Sequence, residues 1–328
     1  MPITDYQKQK LSQFGIEVVR ERKPSVELKL NQTRSVKMSR ALFDKLVVAA
    51  CSSTKSNCDI PKIHFGVELE FVGSNKESNQ LHFDREMRRI FGPAYYNAHH
   101  YCHNDGTSWI LGTDSSIRYT LPNDNSIKGY ELSSNKITVD FSKNESLPII
   151  KEILDLVKTT LKGTVNESCG THIHIGFPIE KLYKDRVESL LDAYSNMESL
   201  VFDPIVPVSR RRNKYCKKTT SFIGNKYQKL SARYCRFTYS RECKSFHLEC
   251  RQLEGTLDYD TIMAWTKLQS YIIYDIISNI DDSNYIESIK RSNIFDILFR
   301  YNFDLNTISF FIERVVMFKS KTIQQSVV

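Results

Sequence analysis

Three short stretches of the chain carry acidic, imidazole or guanidinium side chains two residues apart. They are His64-Phe65-Gly66-Val67-Glu68-Leu69-Glu70-Phe71, Cys169-Gly170-Thr171-His172-Ile173-His174-Ile175-Gly176 and Phe246-His247-Leu248-Glu249-Cys250-Arg251. Polar and apolar residues alternate in each, which is the pattern of a β-strand with its polar side chains on one face. Residues i and i+2 on such a face stand roughly 6.6 Å apart. If the three strands neighbour one another, Glu68, Glu70, His172, His174, Glu249 and Arg251 share one sheet surface. Two carboxylates at about 4 Å repel by roughly 4 kcal/mol at an effective dielectric of 20. A surface that gathers several of them calls for divalent cations and a phosphate. Gly66, Gly170 and Gly255 lie beside the three pairs and leave room for a backbone or ligand to approach.

Each pair taken alone has an ordinary explanation. Glu68 and Glu70 suit the solvated face of an edge strand. A His-x-His pair is often a hydrogen-bonding feature, and Glu249 with Arg251 would make a surface ion pair worth under about 1 kcal/mol. The combination of the three is the specific signal.

Composition sets wide bounds. The chain has 328 residues, 41% hydrophobic and 26% charged, as expected of a soluble protein of one large or two modest domains with a substantial core. No apolar run approaches the roughly 20 residues needed to cross a bilayer. Residues 1–20 are polar and mixed in charge, with no hydrophobic signal core, so the expectation is a cytoplasmic protein without a membrane partner. The eight cysteines include no Cys-x-x-Cys pair and read as reduced core residues. The cluster His99-His100-Tyr101-Cys102-His103 has the wrong spacing for a standard structural zinc site and reads as a loop.

The net charge is +8, and much of it comes from Arg210-Arg211-Arg212-Asn213-Lys214-Tyr215-Cys216-Lys217-Lys218. Such a run suits nucleic acid, nucleotide phosphates or an acidic peptide, or is a solvated loop. It follows Pro204 and Pro207 and falls, in chain order, between the second and third motif strands. The expectation is a mobile loop that closes over a nucleotide or an acidic substrate, with nucleic acid the less favoured partner.

Strands are expected at 16–19, 25–30, 109–112 and 130–133, besides the three motif strands. Helices are expected at 39–50, 83–90, 147–161, from Pro178 to about 202, from an Asp258 N-cap to about 280, and at 286–299 and 305–318. Residues 93–105 read as loop. Strands interleave with long helices without a βαβ rhythm. The expected fold is α+β, with an antiparallel sheet carrying the polar face and helices packed behind it. Residues 1–60 form an N-terminal extension, and residues 61–328 a catalytic domain with C-terminal helices.

The motif strands, together with Asp114-Ser115-Ser116-Ile117, Gly129-Tyr130-Glu131-Leu132-Ser133-Ser134 and Glu254-Gly255-Thr256-Leu257-Asp258, resemble the amidoligase family. That family belongs to the carboxylate–amine ligase superfamily, with glutamine synthetase and glutamate–cysteine ligase. The resemblance spans roughly residues 61 to 275, with the motifs in the same order. It implies a glutamine-synthetase-like sheet and ATP-dependent formation of an amide bond through an acyl phosphate. Its cofactors would be ATP and Mg²⁺ or Mn²⁺, and its partners a carboxylate substrate and an amine substrate such as an amino acid, a peptide or a protein side chain.

The resemblance also implies roles. Glu68, His172 and Glu249 would hold the metal near the ATP phosphates, and Glu70 and Glu131 the metal nearer the substrate carboxylate. Arg251 would neutralise the transferring phosphoryl group. Arg233 would clamp a carboxylate or phosphate, and Asp114 would orient the amine or a metal-bound water. His174 would orient its neighbours. Independently of the resemblance, the charge and chain position of the basic run lead to the expectation that Arg211, Arg212 and Lys214 contact the nucleotide. Two positions depart from the family pattern: Asn135 follows Ser134 where proline is common, and Cys235-Arg236-Phe237-Thr238 follows Arg233-Tyr234 where asparagine is usual. Two other functions fit parts of the sequence. One is a noncatalytic protein that binds nucleic acid or an acidic partner through residues 210–218. The other is an ATP-dependent phosphotransferase on the same fold.

Overall fold

The computed structural model of the chain describes residues 2–22, 25–31, 34–53, 62–98, 107–119, 126–143, 145–176, 184–219, 236–240, 247–301 and 303–325. They form two compact units, each assembled from separated parts of the chain.

One unit comprises Met1–Cys58, Asp192–Val208 and Ser278–Val328. Its antiparallel meander is β1 (Glu17–Arg22), β2 (Ser25–Lys29) and β3 (Ser35–Ser39). Ser39 then caps the helix Arg40–Ser52 by accepting a hydrogen bond from the Leu42 amide, and Leu42, Phe43, Leu46, Val47 and Ala50 recur at helical spacing on its buried side. The helix expected at 286–299 is two, Ser283–Arg291 and Ile294–Arg300. Asn293 accepts from the amides of Phe295 and Asp296, and Asp296 accepts from the Asn293 amide, so a capping box starts a new helix there. A last helix, Leu305–Gln325, follows.

The other unit comprises Asp59–Leu191 and Ser209–Ile277 and carries all three motif strands. Its strands are β4 (Ile63–Ser74), β5 (Tyr96–Ala98), β6 (Trp109–Thr113), β7 (Ile127–Ser133), β8 (Ile137–Val139), β9 (Gly170–Gly176), β10 (Phe237–Ser240) and β11 (His247–Glu254). They make one sheet in the order β10-β11-β9-β4-β7-β6-β5, with β8 also on β4. Every pairing is antiparallel except that of β5 with β6. The fold is therefore mixed α and β with antiparallel-rich sheets.

The alternation read from the sequence governs the central strand. Ile63, Phe65, Val67, Leu69 and Phe71 are at most 2% exposed, while Glu68 and Glu70 lie on the opposite face. Each such apolar side chain contributes about 1.5–3 kcal/mol on burial. A slip of one residue would turn all five outward, so the register is strongly specified. Asp258 caps the helix Tyr259–Ser278 as expected, accepting from the Thr261 amide at 2.8 Å.

The short strands β5 and β8 carry too few residues to show a period. Along one edge, β4 pairs with β8 at Ile63–Phe65 and with β7 from Glu68 onward. Ser134 bridges the gap: its amide donates to the Val67 carbonyl, and its Oγ accepts from the Val67 amide, both at 2.8 Å. Ser134→Ala strands that buried amide. We expect a loss of about 1–3 kcal/mol, read as a fall in Tm of about 2–4 °C per kcal/mol. An unchanged Tm would show that Val67 is satisfied another way.

Candidate active site

Four neighbouring strands, β11, β9, β4 and β7, place the polar residues of the motifs in rows across one face. His174 stands between Glu249 and Gly66, Glu68 between His172 and Ser133, and Glu70 opposite Glu131. The residues that the sequence offered as three separate pairs are thereby one surface.

Glu68 is its hub. Its Oε2 accepts from His172 Nδ1 at 2.9 Å, and its Oε1 lies 3.1 Å from His174 Nε2. His172 is 1% exposed and also lies 3.4 Å from carboxylate oxygens of both Glu70 and Glu249. Burial, joined by the charge of Arg251, pushes the His172 imidazole down to about 4, so the ring is neutral. With its proton on Nδ1, facing Glu68, its Nε2 is free to accept from Arg251 Nη1 at 3.5 Å. Burial would lower His174 as well, but the Glu68 carboxylate outweighs it and raises that imidazole. Burial would raise Glu68; the His174 charge and the His172 hydrogen bond reverse this and hold its carboxyl well below the usual range.

Glu70 and Glu131 behave in the opposite way. Burial pushes Glu70 up to about 7 against the pull of Arg210 and of the Gly170 amide, which donates to its Oε2. The charge of Glu68, then burial, then the charges of Glu70 and Asp114 push Glu131 up to about 8. Asp114 is held by the amide and hydroxyl of Ser116, at 2.7 and 3.0 Å.

The carboxylates fall into two sets. In one, ligand atoms of Glu68, His174 and Glu249 lie within 4.8 Å of one another; in the other, those of Glu70, Asp114 and Glu131 do. Like charges about 4.8 Å apart repel by about 3.5 kcal/mol at an effective dielectric of 20. Without a cation, a retained proton relieves this repulsion at Glu131, while burial is the main cause of the raised Glu70. The donor chemistry fits divalent metals: an all-oxygen set suits Mg²⁺ or Mn²⁺, and a mixed oxygen and imidazole set suits Mn²⁺ better. His174 Nε2 and Glu249 Oε1 are also buried without an aligned hydrogen bond among the described residues. His172, which the resemblance assigns to the first set, lies between the two.

The family described as "putative amidoligase enzyme" matches residues 61–246, more than half of the chain. The chain belongs to this family. No curated protein matches the chain. The family match ends one residue before β11, so it is the sheet that brings Glu249 and Arg251 beside the matched motifs. No helix among the described residues is long and apolar enough to cross a membrane.

Arg233 and the cluster His99–His103 lie outside the described residues. The basic run differs from the mobile loop expected of it. Val208–Arg211 is a short helix, Asn213 turns the chain by accepting from the Tyr215 amide at 2.8 Å, and Cys216 and Thr219 are buried. The Lys217 carbonyl accepts from the Arg236 amide at 2.8 Å, and the Arg211 carbonyl from the Arg236 guanidinium at 2.7 Å. Arg212 and Lys214 are exposed, Lys214 over the Tyr215 ring. Arg210 is 2% exposed. A run of six cations among nine residues hides which one is buried, and only the neighbouring prolines and Cys216 hinted that the segment folds back.

Proposed function

We propose that this amidoligase is an ATP-dependent ligase that joins a carboxylate to an amine through an acyl phosphate and requires divalent metal, on a sheet arranged as in glutamine synthetase. The observation that supports this most is the joining of two acidic sets on one sheet face, with the Arg251 guanidinium 2.6 Å from Glu249 and 3.5 Å from His172.

In this reading Glu68 and Glu249 would hold the cation beside the nucleotide phosphates, joined by His172 once its Nδ1 proton gives way to the metal, with His174 fixing Glu68 from its other side. Glu70 and Glu131 hold the cation nearer the substrate carboxylate. The metals neutralise charge on the phosphates and the substrate carboxylate. A substrate carboxylate oxygen bonds to the γ-phosphorus as the bond to the β,γ-bridging oxygen breaks, and ADP departs with that electron pair. Arg251 stabilises charge on the transferring group. The amine then forms the C–N bond, phosphate leaves, and the amine gives up a proton. Asp114 orients that amine. Arg211, Arg212 and Lys214 contact the nucleotide, and Arg233 clamps a carboxylate or phosphate.

The test uses the full chain with ATP, Mg²⁺ or Mn²⁺, and pools of carboxylates and amines. Nucleotide at 100 times its Kd stabilises the native state by about 2.7 kcal/mol, so Tm should rise by about 5–10 °C. ADP release should depend on both co-substrates. No Tm shift with either metal would overturn the reading, and ADP release that ignores the amine would make the chain a phosphotransferase.

A further inference from the structure

Resting on the ligase reading above, we propose that Arg210 is a positioning residue that holds the bulge in β11 from which Arg251 reaches the site. The β11–β9 register runs Glu249↔His174 and Cys250↔Ile173, then resumes at Leu253↔Thr171. Three steps on β11 match two on β9, so β11 carries one extra residue, and Arg251 and Gln252 together face His172. A bulge of this kind interrupts the ladder and re-aims a side chain. The carbonyl of Arg251, within this bulge, is met by side chains.

Arg210 is the main donor to it. Its Nε and Nη2 donate to the Arg251 carbonyl at 3.0 and 2.6 Å, and the Cys216 thiol approaches the same oxygen at 3.1 Å. The Arg251 amide donates to the Arg236 carbonyl at 2.8 Å. The backbone of Arg251 is thus gripped at both polar atoms, while its guanidinium meets Glu249 and His172. A forked donor suits this carbonyl in a way that the single ammonium of lysine does not.

Gly170 leaves the space that Arg210 needs. A methyl group on its α-carbon would run into Nη2, Cζ and Nη1 of the Arg210 guanidinium. The amide of Gly170 meanwhile holds Glu70 Oε2. One buried cation therefore touches the backbone of the phosphoryl-side arginine and the glycine that anchors a carboxylate of the second set.

Three variants test the assignment: Arg210→Gln, Arg210→Lys and Gly170→Ala. Each is compared with wild type by Tm, by hydrogen exchange of peptides from β11, and by steady-state kinetics. Amide exchange at 250–253 should quicken by about tenfold or more in each variant. Turnover in Arg210→Gln should fall by about 30-fold or more, with the KM for ATP within about threefold. In an Arg251→Gln background, adding Arg210→Gln should cost no more than about fivefold, well short of its cost alone, because the support of Arg251 is already lost and only the pull of Arg210 on Glu70 remains to be removed. Unchanged exchange in β11, or losses that multiply in the double variant, would overturn the proposal. Should Arg210→Gln fail to fold, Arg210→Lys and Gly170→Ala decide by the same readouts. A wild-type chain with no ATP turnover would remove the ligase reading and leave the exchange measurement to decide this one.

Discussion

Glu68→Gln is expected to cut metal-dependent turnover at least about a hundredfold, about 2.7 kcal/mol of barrier. Glu68 is the carboxylate shared by both imidazoles, 2.9 Å from His172 and 3.1 Å from His174, and it belongs to the first acidic set. Glutamine preserves shape and can still accept from His172 Nδ1, so the sheet should stand and Tm should change little. The lost negative charge removes a hard ligand and frees His174 from the carboxylate that raises it. It also removes the foremost charge that pushes Glu131 up, so Glu131 should ionise at lower pH. Turnover and circular dichroism on the same preparation settle it: full metal-dependent turnover in a folded variant would remove Glu68 from the centre of the chemistry.

The metal-free protein should lose stability between pH 6.5 and 8, and divalent metal should cancel the loss. Glu131, pushed up to about 8, and Glu70, pushed up to about 7, keep protons here that the unfolded chain has released, since its carboxyls titrate near 4.5. The raised His174 does the same above the usual imidazole value of 6.5. Because the native state binds more protons than the unfolded state in this window, stability falls as pH rises. His172, lowered to about 4, has the opposite sign, but most of its contribution is made below pH 6.5 and only about 0.4 kcal/mol remains above it. The expected loss is about 2 kcal/mol, a drop in Tm of about 4–8 °C. Mg²⁺ or Mn²⁺ displaces those protons, so the metal-induced rise in Tm should be larger at pH 8 than at pH 6.5. A metal-free Tm that stays flat or climbs over this range would contradict the assigned protons.

Much of this site was visible in the chain because its residues obey the two-residue period of a strand. Glu68 with Glu70, His172 with His174, and Glu249 with Arg251 each share a face for that reason alone, and the apolar residues between them set the register. What joins the pairs is register between strands up to about 180 positions apart, as between Glu68 and Glu249, and no local spacing encodes that. The bulge after Cys250 is a single extra residue with no signature in Cys250-Arg251-Gln252-Leu253. Arg210 was invisible for a different reason: its neighbours share its charge, and only tertiary structure separates the buried cation from the exposed Arg212 and Lys214. The break between the helices at 283–291 and 294–300 could have been found, because Asn293 followed three residues later by Asp296 is a capping signal within a hydrophobic run.

The late position of β11 matters for how this sheet can be cut. The family match stops at residue 246, and β11 is both the outer neighbour of β9 and the support for β10. A fragment ending at that boundary would leave the N–H and C=O groups of Gly170–Gly176 that face β11 unpaired along a seven-residue edge, which is a template for another chain. The extent of the family match and the ability to fold alone are thus different properties here: the polypeptide must be completed through residue 254 before β9 has its neighbour.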